Sequence, residues 1–433
     1  MAWSWNSNMA GMEEINCDLM VIGAGMAGMA AAMFAANRNI DTVQVGITGE
    51  INFASGLLDV LAIHPQDKGT LWDDPWAAIR QLAADQPDHP YARMRIEEIQ
   101  TAMDQCIAFL GGAGLQYTTR GKLNARVLTP AGTVKTTYAI PRSMAAGAEA
   151  LVNGTPTLLV DFQGLKGYSA RQIIETVGAR WPALNRVRIA FPGASGELYT
   201  EHAARKLDLA ANRRQLADLI RPHLDRAQAV GLPAILGIYR TEEVVGDLEH
   251  QLGAAVFEIP TMVPAITGLR LREAFEQQLP AKGVKTLYQQ KVQEVLVQPD
   301  GQYCFTVGGA APEIRIRARS VILASGRFFG KGLHADRYGI REAIFGLPVF
   351  QPADRVSWHH RELLQSSGHP INRAGLEVDG AFRPVDRNGA VIHSNLHAVG
   401  SILAHQDWIR QKCGSGLSIA TAFGAVNALA AAL

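Results

Sequence analysis

Residues 18–50 read DLMVIGAGMAGMAAAMFAANRNIDTVQVGITGE, and the reading of this stretch governs the rest of the chain. With Cys17 in front, "CDLMVI" is an unbroken apolar run of the kind a strand shows when both faces of a parallel sheet are covered. Gly23, Gly25 and Gly28 then satisfy G-x-G-x-x-G. The first glycine permits a tight turn, the second lets a phosphate approach the backbone, and the third lets the following helix pack closely. The start of that helix adds free N–H donors and a partial positive charge. Ala27, Ala30, Ala31 and Ala35 keep the helix thin against the strand, and "TVQVGI" follows as a second strand. The plainer alternative is a glycine turn with a structural role only.

The residue that usually completes such a unit is missing. An acid at the end of the second strand, about 20 residues on, normally bonds an adenosine ribose. Here the strand ends in Val45, Gly46 and Ile47; Asp41 comes too early and Glu50 lies beyond. The omission weighs against NAD. A mononucleotide flavin needs the phosphate cradle without the ribose acid.

At 433 residues the chain has room for two or three domains, or for one large discontinuous one. Its formal net charge of +1 gives no electrostatic reason to expect nucleic acid or an acidic membrane surface. Cys17, Cys106, Cys304 and Cys413 lie far apart without a CxxC pair, so neither a disulfide framework nor a metal or iron–sulfur site is expected, and a cytosolic location is. The opening "MAWSWNSNMAGMEEIN" has no basic or apolar region of a signal peptide, and the apolar run at 21–36 is too short to span a bilayer.

Further along, "TPTLLVDF", "RVRIAF", "LPAILGI" and "GAAVFEIP" alternate with helical stretches, which predicts a second layer of parallel strands. From 266 an amphipathic helix, a strand and a hairpin around "PDGQ" are expected. The predicted division is a discontinuous nucleotide-binding domain, 15–70 plus 261–433, interrupted by an α/β domain at 71–260 for partner or substrate contacts.

Two later stretches turn the reading toward a flavin. "VILASGRF" resembles the strand and small-residue turn that brings backbone near the ring in two-dinucleotide-fold flavoproteins. "NLHAVGS…GSGLSIATAFGAV" resembles their C-terminal element, although the strand ends Gly400-Ser401 where many relatives have Gly-Asp. The fold class expected is therefore α/β, a Rossmann-like flavin-binding domain of that type with an inserted α/β domain. The turn Gly414-Ser415-Gly416 would offer N–H groups to a phosphate or to the flavin. An ordinary helix start is the competing account.

The strings "INFASGLLDVLAIHP", "HPYARM", "VLTPAGTVKTTYAIPRSM", "LLVDFQGLKGYSA", "VILASGRFFGKGLHADRYGIREAIFGLPVF" and "LHAVGSILAHQDWIRQKCGSGLSIATAFGAV" recur in similar form and order in one family. From about residue 17 onward the chain resembles the B subunit of anaerobic glycerol-3-phosphate dehydrogenase. The resemblance implies a soluble flavoprotein with FMN, or alternatively FAD. Its partners would be the catalytic A subunit and the iron–sulfur, membrane-associated C subunit of the same complex. It also implies oxidation of sn-glycerol 3-phosphate to dihydroxyacetone phosphate, with electrons passed toward a quinone. The location implied is cytoplasmic, peripheral to the inner membrane through those partners. Residue by residue it carries over Gly23, Gly25, Gly28, Ser55, Gly56, Ser325, Gly326, Gly400, Ser401, Cys413, Gly414 and Gly416 as the flavin's surroundings. The alternatives are an FAD-dependent oxidoreductase of another small hydroxy or amino substrate, and a cofactor-free interaction subunit.

Alcohol oxidation by hydride transfer needs a base for the hydroxyl proton and cations for a phosphate. His405, in the loop before the last helix, is the candidate base, with His334 behind it; each is weighed against an ordinary loop histidine. His359 and His360 are adjacent and lack ligand spacing, so a solvated pair is the expectation. Arg327, Lys331, Arg337 and Arg341 meet a phosphate or form a solvated basic face. Arg270 and Arg272 are expected at the surface. Cys413 is expected as a small buried residue, because no second cysteine lies near it.

Overall fold

A computed structural model describes residues 13–194 and 196–432. The first twelve residues, which make up most of the opening stretch without signal-peptide character, lie outside these. The glycine stretch forms the expected unit: strand β1 (Glu13–Ile22), helix α1 (Met26–Ala36) and strand β2 (Thr42–Gly46). Every residue from Ala27 to Ala35 on α1 is buried, which the run of small side chains permits.

This unit sits inside a seven-stranded sheet. Its order is Lys285–Tyr288, β2, β1, Pro312–Leu323, Tyr303–Gly308 and Lys291–Val297. The long strand Pro312–Leu323 shares its far edge. Its first part pairs antiparallel with Tyr303–Gly308, and its end pairs parallel with Leu396–Ala398. The hairpin expected at "PDGQ" is present, with Gly301 at φ +81° in the turn.

The registers Ile22↔Val45, Ile22↔Leu323 and Leu323↔Ala398 place four parallel strand ends side by side. Gly23, Gly46, Ala324 and Gly400 therefore all leave the sheet at one carboxyl edge, where open α/β sheets hold ligands. The helix Gly414–Ala430 lies along α1, with Phe423 edge-on to Phe34 at 5.1 Å.

A second, four-stranded parallel sheet has the order Ala255–Ile259, Ala229–Pro233, Thr157–Phe162, Leu184–Ile189 and its own buried cluster. The expected division at residue 71 runs through the first cluster. Trp76, Ile79, Tyr91, Met103 and Leu110 pack there, and Phe109 stacks on Phe275 at 5.2 Å. Arg270, expected at the surface, is instead buried and grips Glu258 with both Nη atoms at 2.6 and 2.8 Å. A buried guanidinium needs such a carboxylate, and the strand Ala255–Ile259 supplies it.

Candidate functional site

At the carboxyl edge the turns touch backbone to backbone. A β-carbon at Gly23, which has φ +129°, would lie 2.7 Å from the Ala324 carbonyl carbon. One at Gly28 would lie as close to Gly23, and one at Gly46 would stand 2.6 Å from Ala24 N. Gly400, at φ +77°, faces Ala27 in the first turn of α1, where a β-carbon would approach the Ala27 Cβ to 2.5 Å. The helix α1 starts at Gly25 with no side-chain cap and no acid in its first turn. Its leading N–H groups therefore point outward with a partial positive charge and no local competitor.

The other expected residues are placed as follows. Gly326 has φ +70°, and its carbonyl lies against Gly332. Ser325 Oγ is buried without a partner among the described residues, as is Nε of Arg327. Ser55 is half-buried, and Gly56 packs on Thr267 at the head of the helix Ile266–Ala281. The Gly400 N–H is taken by Thr421 Oγ1 at 2.9 Å, and the Ser401 carbonyl accepts from Gln406 Nε2 at 3.1 Å. In the C-terminal turn, Ser415 Oγ donates to the Leu57 carbonyl at 3.1 Å, and the Gly416 N–H is spent on the Asp59 carbonyl at 2.6 Å. Gly414 lies against the Trp408 ring.

Behind this edge stands a buried polar framework of which sequence reasoning named Arg327 alone. Arg327 donates from Nη2 to the carbonyls of Leu403 and Gln406 at 3.1 and 2.9 Å, and from Nη1 to that of Asn372. Burial lowers its pKa to about 10, partly offset by Asp407. Asp407 accepts from Gln66, Asn372 and Arg410 at 3.2, 3.0 and 3.3 Å. Gln411 Oε1 accepts the Asp407 N–H at 2.9 Å and bonds His89 Nε2 at 3.3 Å. Together these bonds fix the loop that carries His405.

His405 adopts φ +63° and bonds Glu377 Oε1 through Nε2 at 2.9 Å, with its ring 4.2 Å from that of Phe350. Glu377 opens onto a cavity of about 390 Å³ that Phe350, Gln351 and Arg387 also line. A histidine held in this way by a carboxylate has one ring nitrogen and its orientation fixed, as an oriented base requires. His334 is exposed and lines a cavity of about 660 Å³ with Lys331, Arg341 and Arg387. The four expected cations part company. Arg327 is buried, Arg337 lies over the Tyr338 ring, Arg341 pairs with Asp336 at 2.8 Å, and Lys331 is exposed. The His360 N–H donates to His369 Nδ1, and among the described residues no three His, Cys, Asp or Glu converge as metal ligands. Cys413 is buried, and burial pushes its thiol pKa well up.

A family described as "FAD binding domain" matches residues 18–417. The B subunit of a probable anaerobic glycerol-3-phosphate dehydrogenase from Halobacterium salinarum is 33% identical, over 97% of this chain and 99% of its own length. The chain belongs to the B-subunit family of anaerobic glycerol-3-phosphate dehydrogenase. The Vibrio vulnificus B subunit is 28% identical over 95% of this chain and 96% of its own. Among solved structures, 3-ketosteroid delta1-dehydrogenase from Sterolibacterium denitrificans aligns with a TM-score of 0.45 at 12% identity, covering 96% of this chain and all of its own.

A flavin is thus the cofactor of this B-subunit relative, and the carboxyl edge fits one. Gly23 and Gly400 let the turns pack closely on Ala324 and Ala27, α1 offers uncommitted N–H donors, and Ser325 Oγ and Arg327 Nε are buried without partners among the described residues.

Proposed function

We propose that this chain is the flavin-carrying subunit of a respiratory glycerol-3-phosphate dehydrogenase that takes part in oxidising sn-glycerol 3-phosphate to dihydroxyacetone phosphate. One observation carries the reading. The turns at Gly23, Ala324 and Gly400 meet at one sheet edge, in a chain related over almost its whole length to B-subunit proteins. When bound, the flavin supplies a two-electron acceptor. The role of the turns is to seat it and to keep side chains out of its place.

The nucleotide form proposed is FMN, because β2 ends in Gly46 without an acid. FAD is the form that the family description favours. The proposed partners are a catalytic A subunit and an iron–sulfur, membrane-associated C subunit, with electrons leaving toward a quinone. Support comes from one segment that exposes Phe329, Tyr338, Val356, Leu363 and Leu364, each more than two-thirds accessible. No helix among the described residues is long and apolar enough to cross a membrane, so attachment to the inner membrane from the cytoplasm is assigned to the partners. The inserted parallel layer is assigned to partner or substrate contacts.

A second reading, substrate oxidation within this chain, is favoured by the His405–Glu377 pair, with His405 as the base.

Release and weighing of the bound cofactor, followed by anaerobic addition of glycerol 3-phosphate, tests both. Bleaching of the flavin band only in the presence of the partner proteins supports the first reading. Bleaching of the chain alone supports the second. A colourless chain that takes up neither FMN nor FAD sinks both.

A further inference from the structure

The C-terminal helix begins against Asp59. The Asp59 N–H donates to Ser415 Oγ at 3.3 Å, and the Asp59 carbonyl accepts the Gly416 N–H at 2.6 Å. A β-carbon at Gly416 would stand 2.7 Å from both the Asp59 carbonyl oxygen and the Tyr91 hydroxyl, so this register admits glycine alone. Asp59 is thereby clamped to the helix N-terminus.

Its carboxylate is 8% exposed as a residue, and its two oxygens have different surroundings. Oδ2 pairs with Lys135 Nζ at 2.8 Å, while Oδ1 is buried with no partner among the described residues. A buried carboxylate oxygen without a donor is costly unless a ligand or water supplies one.

Lys412, at φ +53° just after the short helix Trp408–Gln411, is bracketed against the same segment: the Gln411 carbonyl accepts the Ala62 and Ile63 N–H groups at 3.1 Å, and Ser415 and Gly416 bond Asp59. The Lys412 ammonium forms no hydrogen bond or ion pair among the described residues, although the charges of Asp59 and Asp407 act on it. Lys135 already neutralises Asp59, and Asp407 is occupied by Gln66, Asn372 and Arg410. The charge on Lys412 is therefore the surplus one. Partial burial, with Lys135 and Arg410 nearby, holds its pKa below the usual lysine value, a direction that a bound anion would reverse. The two lysines reach solvent, the Lys135 side chain being 23% accessible and Lys412 half-buried, while Asp59 Oδ1 lies closed behind them.

We propose that Asp59, Lys135 and Lys412 form a subsite for a phosphorylated polyol, in which Lys412 pairs with the phosphate and Asp59 Oδ1 accepts a hydrogen bond from a hydroxyl. The inference rests on the proposed function and names the residues of this chain that would select that substrate class. Lys135 holds Asp59 in place through their ion pair, and Lys412 adds the positive charge directed toward the ligand. An unphosphorylated polyol leaves Lys412 unpaired, and inorganic phosphate leaves Asp59 Oδ1 without its donor, so each satisfies half of the site.

Calorimetric titration of the purified chain with sn-glycerol 3-phosphate, glycerol and inorganic phosphate tests this. Glycerol 3-phosphate is expected to bind more tightly than either part. Lys412→Ala weakens it about tenfold or more, the size of a lost charge-assisted bond, and Lys412→Arg restores most of the loss. Asp59→Asn reduces the preference for glycerol 3-phosphate over inorganic phosphate, and flavin content reports that each variant is folded. The subsite is overturned if the wild-type chain binds glycerol 3-phosphate no better than inorganic phosphate, or if Lys412→Ala binds it as tightly as wild type. In that event a complex that still oxidises glycerol 3-phosphate keeps the proposed function, whereas the absence of any flavin defeats that function and not the subsite.

Discussion

Gly23 and Ala324 touch through their backbones, with space for a hydrogen but none for a methyl group between them. The contact joins the N-terminal glycine turn to a turn about 300 residues later in the chain, at the edge where β1 and Pro312–Leu323 end together. Gly23→Ala forces a φ of +129° on a residue with a Cβ and drives that atom into the Ala324 carbonyl. The expected cost is about 1–3 kcal/mol from the backbone conformation alone. Flavin content per chain should fall with it. Visible absorbance against protein concentration, with a thermal melt, checks both.

The Arg270–Glu258 pair fastens the second sheet to the helix Ile266–Ala281, with side chains 2% and 0% exposed. Arg270→Met leaves Glu258 buried with, among the described residues, only the Ser143 hydroxyl and the Leu236 N–H. Breaking such a pair from one side costs about 3–5 kcal/mol. Removing both charges, as Arg270→Met with Glu258→Gln, should recover part of that loss in urea unfolding.

The β1–α1–β2 unit was legible because its signal is local: a continuous apolar strand, glycines at fixed offsets and a small-residue helix. The "PDGQ" hairpin was legible for the same reason. The sharing of the Pro312–Leu323 edge between Tyr303–Gly308 and Leu396–Ala398 was not, since nothing in a strand's own pattern names its neighbours. Arg270 and Glu258 each look like surface charges until the fold brings them together. Asp59 and Ser415 are 356 residues apart, and Asp59 sits in "LLDV", where its one signal was a lone carboxylate in an apolar run. The glycines of the site were thus visible, as were Arg327 and His405 as residues, but the partners of the charged groups were not, because tertiary burial decides their pairing.

Stability should also fall in mild acid through His89. The ring is fully buried, with Nδ1 accepting the Tyr91 N–H and Nε2 directed at Gln411 Oε1, and burial lowers its pKa from 6.5 to about 3. Between those values the unfolded chain binds a proton that the native chain does not, so stability decreases as pH falls from about 6.5 toward 3. One proton corresponds to about 1.4 kcal/mol per pH unit. His397, also lowered by burial, acts in the same direction. His89→Gln should remove one proton's worth of slope from urea midpoints measured between about pH 6 and pH 4, while His397 keeps the remainder.

His405 is best probed by asparagine. Asn accepts a positive φ more readily than most residues, so the loop held by Arg327 and Asp407 should keep its course at φ +63°. Glu377 loses its partner but is 42% accessible, and water replaces the bond, so the stability change should stay below about 1 kcal/mol. Flavin content should therefore match wild type. If His405 takes the hydroxyl proton, the anaerobic rate of flavin bleaching by glycerol 3-phosphate falls at least about 100-fold, the usual worth of a positioned base. A rate within a few-fold of wild type would confine His405 to holding Glu377 and Phe350 in place, and the proton would have to leave by another group.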